Sequence, residues 1–368
     1  MSSRFQRFVL PGLAFKAVVI GGGYATGREL AEFFLPSGPW GGVAAMILAM
    51  LIWSGICVAT FVFARASGAR DYRTFVRALL GRGWVVFEAA YVLFVILILA
   101  VFGAAAGAIG AATLALPTLV GTVALMTAIA FVTAFGNPSV ERVFKYVSFL
   151  LYGVYVLFVL LALTHFGGRI TTGFARPASS DAWLLGGATY ASYNVVAAIV
   201  ILPVLRHLTS DRDAILAGLV AGPLAMLPAL MFFCCMIAYY PQIAAQTLPS
   251  DFLLQRLDLP WFHLLFQAMI FAALLESGTG AVHAINERIG NAWLRRRARP
   301  LGHGARLAIA LVVLSACMLL AQRFGLVTLI AKGYRALAVI FLLVYVFPLL
   351  TIGLFRLRHR ATLQQEVT

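Results

Sequence analysis

Residues 214–240 run for 27 positions without a charged side chain, and apolar stretches of similar length recur along the whole chain. A helix needs about 20 mostly apolar residues to cross a bilayer. Ten stretches qualify: 9–35, 41–64, 84–110, 115–135, 143–165, 183–206, 214–240, 261–288, 305–322 and 326–355. Pro223 and Pro228 kink the seventh without preventing its burial, because neighbouring helices can satisfy the freed backbone groups. This recurrence limits the chain to one solvent. With 11% charged and 62% hydrophobic residues it could not cover a soluble surface, where roughly 25% charged is usual. The expectation is an all-α integral membrane protein: a single transmembrane domain over 1–368, ending in a tail at 356–368.

The net charge of +15 would suit a nucleic-acid partner, but its placement points to the lipid bilayer instead. With the N-terminus in the cytoplasm, 20 of the 28 Lys and Arg residues fall in cytoplasmic segments, four outside and four within spans. That asymmetry is the positive-inside signature of a multi-pass protein of a bacterial-type cytoplasmic (inner) membrane, with both termini cytoplasmic. The basic run at 295–299 reads as an orientation anchor. Cys57, Cys234, Cys235 and Cys317 lie in apolar stretches without metal-ligand spacing and read as small buried hydrophobes. The first apolar stretch is too long for a cleavable leader. Two segments lie outside the spans. Residues 65–82 form a short basic helix on the cytoplasmic face. Residues 241–260 form an external loop long enough to fold over a site entrance.

Within span one stands AVVIGGGYATGREL, residues 17–30. A dinucleotide-binding turn would need the spacing G-x-G-x-x-G and an acid about 20 residues further on. Here the glycines are Gly21, Gly22, Gly23 and Gly27, and the 41–64 span intervenes before the next acid after Glu32, Asp71. Successive glycines cost a helix roughly 1 kcal/mol each relative to Ala. Non-helical backbone is tolerated at membrane depth only where protein or a water-filled cavity covers it. The stretch therefore reads as a helix broken beside a cavity, its freed carbonyls suited to a cation and its freed N–H groups to an anion. The alternative is a tight small-residue helix crossing. Span six carries a corresponding cluster, Gly186, Gly187, Thr189, Tyr190, Ser192, Tyr193 and Asn194. Spans one and six are five apart, an odd number, so 9–165 and 183–355 are expected to form two five-helix repeats of opposite orientation, with span one broken within 19–29 and span six within 188–195.

GGGYATGREL with its following EFF, the interrupted span six, and LLESGTGAVHAINER in span eight resemble the YkvI-type bacterial membrane proteins, a branch of the amino acid–polyamine–organocation superfamily. The resemblance implies the LeuT-like fold of five plus five inverted helices, with helices 1 and 6 broken mid-membrane. Spans one, three, six, eight and ten would then surround a central site. Span one would line it with Gly21, Gly22, Gly23, Tyr24, Ala25, Thr26 and Gly27, and span six with Thr189, Tyr190, Ser192, Tyr193 and Asn194. The two tyrosines would suit an amine or an apolar side chain, or would only pack. Tyr91 in span three is a further candidate.

A carboxylate at mid-span is functional by default. Glu276 would serve a coupling ion, or carry a proton itself. Ser277 and Thr279, with Gly21 and Tyr24 of span one, resemble a Na⁺ site between spans one and eight, since oxygen ligands suit a hard cation. Glu29 either answers the macrodipole at the start of the second half-helix, or binds a substrate ammonium or a proton. Lys332 is an expected partner for Glu29 or Glu276, or snorkels outward. The function expected is a secondary active transporter, coupled to Na⁺ or H⁺, of a small amine-bearing or zwitterionic metabolite, such as an amino acid. The alternative is a sensor that keeps the fold without turnover. No other cofactor is expected, and no metalloprotease motif or paired aspartates suggest an enzyme.

Overall fold

The computed structural model describes residues 3–135, 138–178, 181–297 and 301–365, without side chains at 135–150, 152, 295–296 and 360–365. Helices follow one another and the described residues contain no strand. Most side chains of the basic run at 295–299 lie outside the described residues.

Span one is assembled from pieces: α1 (Arg4–Phe8), α2 (Leu10–Val19), α3 (Gly22–Ala25) and α4 (Arg28–Phe33). Helical geometry stops at Ile20, whose ψ is 89°. It stops again at Gly27, whose φ of 76° lies in the left-handed region that a side chain disfavours. The break expected within 19–29 is thus a double one, with a single helical turn suspended between.

Then come α5 (Gly38–Ser67), α6 (Tyr72–Leu80), α7 (Trp84–Leu114), α8 (Thr118–Phe135) and α9 (Pro138–Phe174). Helix α6 is the short basic helix of the sequence reading. Asp71 caps it by accepting from the amides of Arg73 and Thr74, both at 3.0 Å, a cap of the kind that contributes about 1 kcal/mol. Its apolar face, Phe75, Val76 and Leu79, is buried in the protein, with Phe75 against Phe63 and Tyr345.

Span six comprises α10 (Trp183–Asn194), α11 (Ala197–Val200) and a 3₁₀ turn, Leu202–His207. The interruption sits at Val195 and Val196, at the edge of the expected 188–195 stretch. Residues 188–194 are helical. Ser192 Oγ donates to the Ala188 carbonyl at 2.6 Å and Asn194 Nδ2 to the Tyr190 carbonyl at 3.1 Å, so the polar residues reinforce the helix. Past Asn194 the bonding tightens, with the Ala198 amide reaching Val195 and that of Ile199 reaching Val196, each at 3.0 Å.

The chain continues through α12 (Asp211–Ile237), α13 (Pro249–Leu257), α14 (Pro260–Arg297), α15 (His303–Thr328), α16 (Arg335–Phe341) and α17 (Leu354–Gln365). Helices α5 and α12 approach until a Cβ at Gly218 would strike the Val58 backbone and one at Gly222 the Met50 carbonyl. Such small-residue contacts substitute for the hydrophobic drive that lipid does not supply between helices. Among the described residues, seven runs of helix are apolar and long enough to cross a bilayer by length and composition. The last, His303–His359, has 57 residues. Straight, it would extend about 85 Å, but Gly325, at φ 70° and ψ 168°, kinks it.

Candidate functional site

The two interrupted spans flank one cavity of about 310 Å³, completed by α7, α14 and the π-helical turn Leu329–Tyr334. Pockets for small molecules begin near 300 Å³. Tyr91, Phe94, Ile98 and Phe102 lie one helical face apart on α7 and form its aromatic and aliphatic wall. Tyr193, Asn194, Tyr334 and Ser277 also reach it.

Among the described lining residues only Glu29 is charged, and it is 3% exposed. The double break places it there. The left-handed turn at Gly27 folds the first turn of α4 back toward α3, and the Glu29 carboxylate lies against Gly23, where any Cβ would collide with it. The Tyr193 hydroxyl donates to Glu29 Oε2 at 2.7 Å and so ties this buried carboxyl group to span six, at the junction of spans one and six.

Tyr193 packs on Tyr334, with ring centroids 4.5 Å apart, and on Phe33 at 5.8 Å. These rings form a septum. Beyond it lies a second hollow of about 340 Å³, lined by Glu32, Phe33, Thr189 and Arg335. Here Glu32 pairs with Arg28 and with Arg335, each at 3.0 Å. The Arg28 guanidinium also donates to the carbonyls of Ala244 at 3.0 Å and Gln246 at 2.9 Å. The Ser250 amide donates to the Thr26 carbonyl at 3.0 Å. The 241–260 loop is therefore stitched onto the break in span one.

At the opposite, basic end of the bundle Arg288 lies over the rings of Tyr72 and Tyr91, 3.8 and 3.6 Å from their centroids, and pairs with Glu88 at 3.0 Å. Tyr72 also donates to Glu88, at 3.3 Å. This cluster joins α6, α7 and α14 beside Tyr91, the cavity residue nearest the start of α7.

Of the residues expected from the sequence, Gly21, Glu29, Tyr91, Tyr193, Asn194 and Ser277 meet at the cavity. The others lie elsewhere. Gly22 opens α3. Tyr24 and Ala25 line a separate small hollow with Lys16 and Tyr155. Gly23 packs on Glu29, and Gly27 on Phe232 and Pro249. Thr26 Oγ1 donates to the Gly23 carbonyl at 3.0 Å. Thr189 faces the second hollow. Tyr190 is fully buried in an aromatic core with Phe34 and Trp53. Thr279 Oγ1 donates to the Leu275 carbonyl of its own helix at 2.8 Å. Glu276 is half-buried and outside the cavity lining. Lys332 is exposed and forms no ion pair among the described residues; Arg335, one turn on, is the residue that reaches a span-one carboxylate. Phe94, Phe102 and Tyr334 were absent from the expected set. The helical spacing of the first two from Tyr91 was the available signal, as was an aromatic hydroxyl between Lys332 and Arg335 in an apolar span.

No family model matches the chain. Over 283 residues it is 23% identical to the uncharacterized membrane protein YkvI of Bacillus subtilis (strain 168), covering 74% of this chain and 78% of that one. The fold is similar to that of MhsT, solved in complex with L-phenylalanine, at a TM-score of 0.63 and 18% identity over 92% of this chain and 88% of the other. It is also similar to a manganese transporter of Eremococcus coleocola, at 0.59 and 14% over 94% and 78%. A Na⁺-coupled sialic acid symporter matches at 0.59 and 13% over 90% and 75%. The fold is therefore the all-helical LeuT-like one that the resemblance implied.

Proposed function

We propose that this chain is a secondary active transporter that carries a small amine-bearing or zwitterionic metabolite by alternating access. The observation that carries the reading is the pair of hollows on either side of one aromatic septum, at the junction of two interrupted spans. A septum of three side chains is thin enough for rotamer changes and small helix tilts to open, whereas the Arg288 cluster joins the helices at the basic end. Alternating access needs a barrier on each side of a binding cavity, only one of which opens at a time. The structural neighbours that carry manganese and sialic acid support the class.

The domain reading is two five-helix repeats, 9–165 and 183–355, inverted in the membrane. The location is a bacterial-type inner membrane with both termini cytoplasmic, supported by the distribution of Lys and Arg. In that orientation the 241–260 loop is external and the Arg288 cluster is the cytoplasmic barrier. The coupling ion is Na⁺ or H⁺. Gly21 and Ser277, which share the cavity wall, support a cation between spans one and eight. Glu29 supports a proton or an ammonium.

Counter-flow in proteoliposomes, with a panel of amines and amino acids and with or without a sodium gradient, tests the reading. Accumulation of at least one panel member is expected. Binding without flux would instead point to a sensor on this fold, and neither binding nor flux across the panel would remove the reading.

A further inference from the structure

The anion place at the break in span one is taken. A carboxylate arriving at a broken helix would seek its freed amides. Here the Glu29 carboxyl group already occupies that position, packed against Gly23 between α3 and α4, with the Tyr193 hydroxyl as its donor. Among the described residues that line the cavity no cation is present to receive another carboxylate. Arg288, the cation at Tyr91, is committed to Glu88 and to two aromatic rings. The remaining walls are aromatic faces, which attract cations, and the carbonyl end of α10, the negative pole of that helix. Every charged or dipolar feature of the cavity therefore favours a positive guest.

We infer that the chain supplies the site's carboxylate itself, as Glu29, and that the transported solute is a cationic amine without a carboxylate: an apolar or aromatic primary amine and not an amino acid. The inference rests on the reading of this cavity as the substrate site, and narrows it. The ammonium binds Glu29, and the apolar body lies among Phe94, Phe102 and Tyr334. An amino acid would place its own carboxylate, unpaired, in a buried space beside Glu29. A buried charge without a partner is strongly disfavoured, and like charges side by side add to that cost. Discrimination by the cavity is consequently a matter of one functional group and not of size.

Matched pairs that differ only by the carboxylate test this directly: phenethylamine with phenylalanine, isoamylamine with leucine, and further aliphatic pairs, titrated into the full-length protein in nanodiscs and offered to proteoliposomes. In each pair with the preferred side chain, the amine is expected to bind about tenfold or more tightly, which corresponds to roughly 1.4 kcal/mol. Glu29→Ala removes that carboxyl group, and is expected to weaken the amine by a similar factor and to close or reverse the gap to the amino acid. The wild-type comparison stands if that variant does not fold. Amino acids that bind or move as well as their amines overturn the inference and leave the transport reading intact. Amines that bind in preference to their amino acids without moving uphold the carboxylate-free specificity of the cavity and overturn transport. Binding by no member of any pair overturns the inference.

Discussion

The Tyr193 hydroxyl meets Glu29 Oε2 at 2.7 Å across the junction of the two interrupted spans, 164 residues apart in sequence. A hydrogen bond to a charged group contributes about 1.5–3 kcal/mol. Tyr193→Phe keeps the ring that packs on Tyr334 and removes only the donor. The substrate concentration for half-maximal uptake is expected to rise about tenfold or more, while the variant's gel-filtration profile in detergent stays that of the wild type.

Gly27 is held to glycine twice, by its φ of 76° and by the rings around it: a Cβ would lie 2.6 Å from Phe232 Cε1 and 3.1 Å from Pro249. Backbone strain of that kind costs of order 1–3 kcal/mol. Gly27→Ala should lower the thermal midpoint in detergent. Gly55→Ala, within α5 and with nothing inside 4 Å of the new Cβ, should leave it unchanged or raise it. Equal midpoints for the two variants would contradict the break geometry.

The Arg28–Glu32–Arg335 network mixes a buried and an exposed contact. The side chain of Arg28 is 7% exposed and that of Arg335 59%. Removing one partner of a buried pair costs roughly 3–5 kcal/mol, whereas an exposed pair contributes about 0–1 kcal/mol. Glu32→Ala should therefore reduce folded yield and melting temperature markedly, with the two carbonyl contacts of Arg28 keeping the loss near the lower figure. Arg335→Gln should leave both close to wild type.

At the basic end, Arg288→Gln removes the ion pair to Glu88 and the cation over Tyr72 and Tyr91. A cysteine placed at Ala284, on the cavity wall, should then react faster with a membrane-impermeant thiol reagent from the cytoplasmic side. The background for the measurement carries serine at the four native cysteines. An unchanged labelling rate would remove the cluster from its role as a barrier.

The broken span one was legible because glycine leaves a local mark. Three in a row and a fourth at Gly27 have a helix cost that nothing else in an apolar stretch explains. Span six misled for the opposite reason. Gly186 and Gly187 admit the carbonyls of Phe33 and Ala45 to close contact, and Ser192 and Asn194 turn their polar atoms onto their own helix. These are packing devices, while the interruption falls in Val195 and Val196, which look like ordinary span residues. The bearing of each side chain around its helix was also illegible. Tyr190 and Tyr193 are three residues apart, yet one lies in the aromatic core and the other at the cavity. Lys332 is exposed while Arg335 reaches Glu32, because a position along a span says nothing about which side of a helix faces inward.

The stitching of the 241–260 loop to span one makes that loop a handle. Two of its main-chain carbonyls and one of its amides join it to Arg28 and Thr26, on either side of Gly27. Any tilt of α4 that parts Phe33 from Tyr193 must drag the loop along or tear it free. An antibody fragment gripping the loop would thus feel whether the chamber below is full, and the solute, in turn, would tune the grip of the antibody.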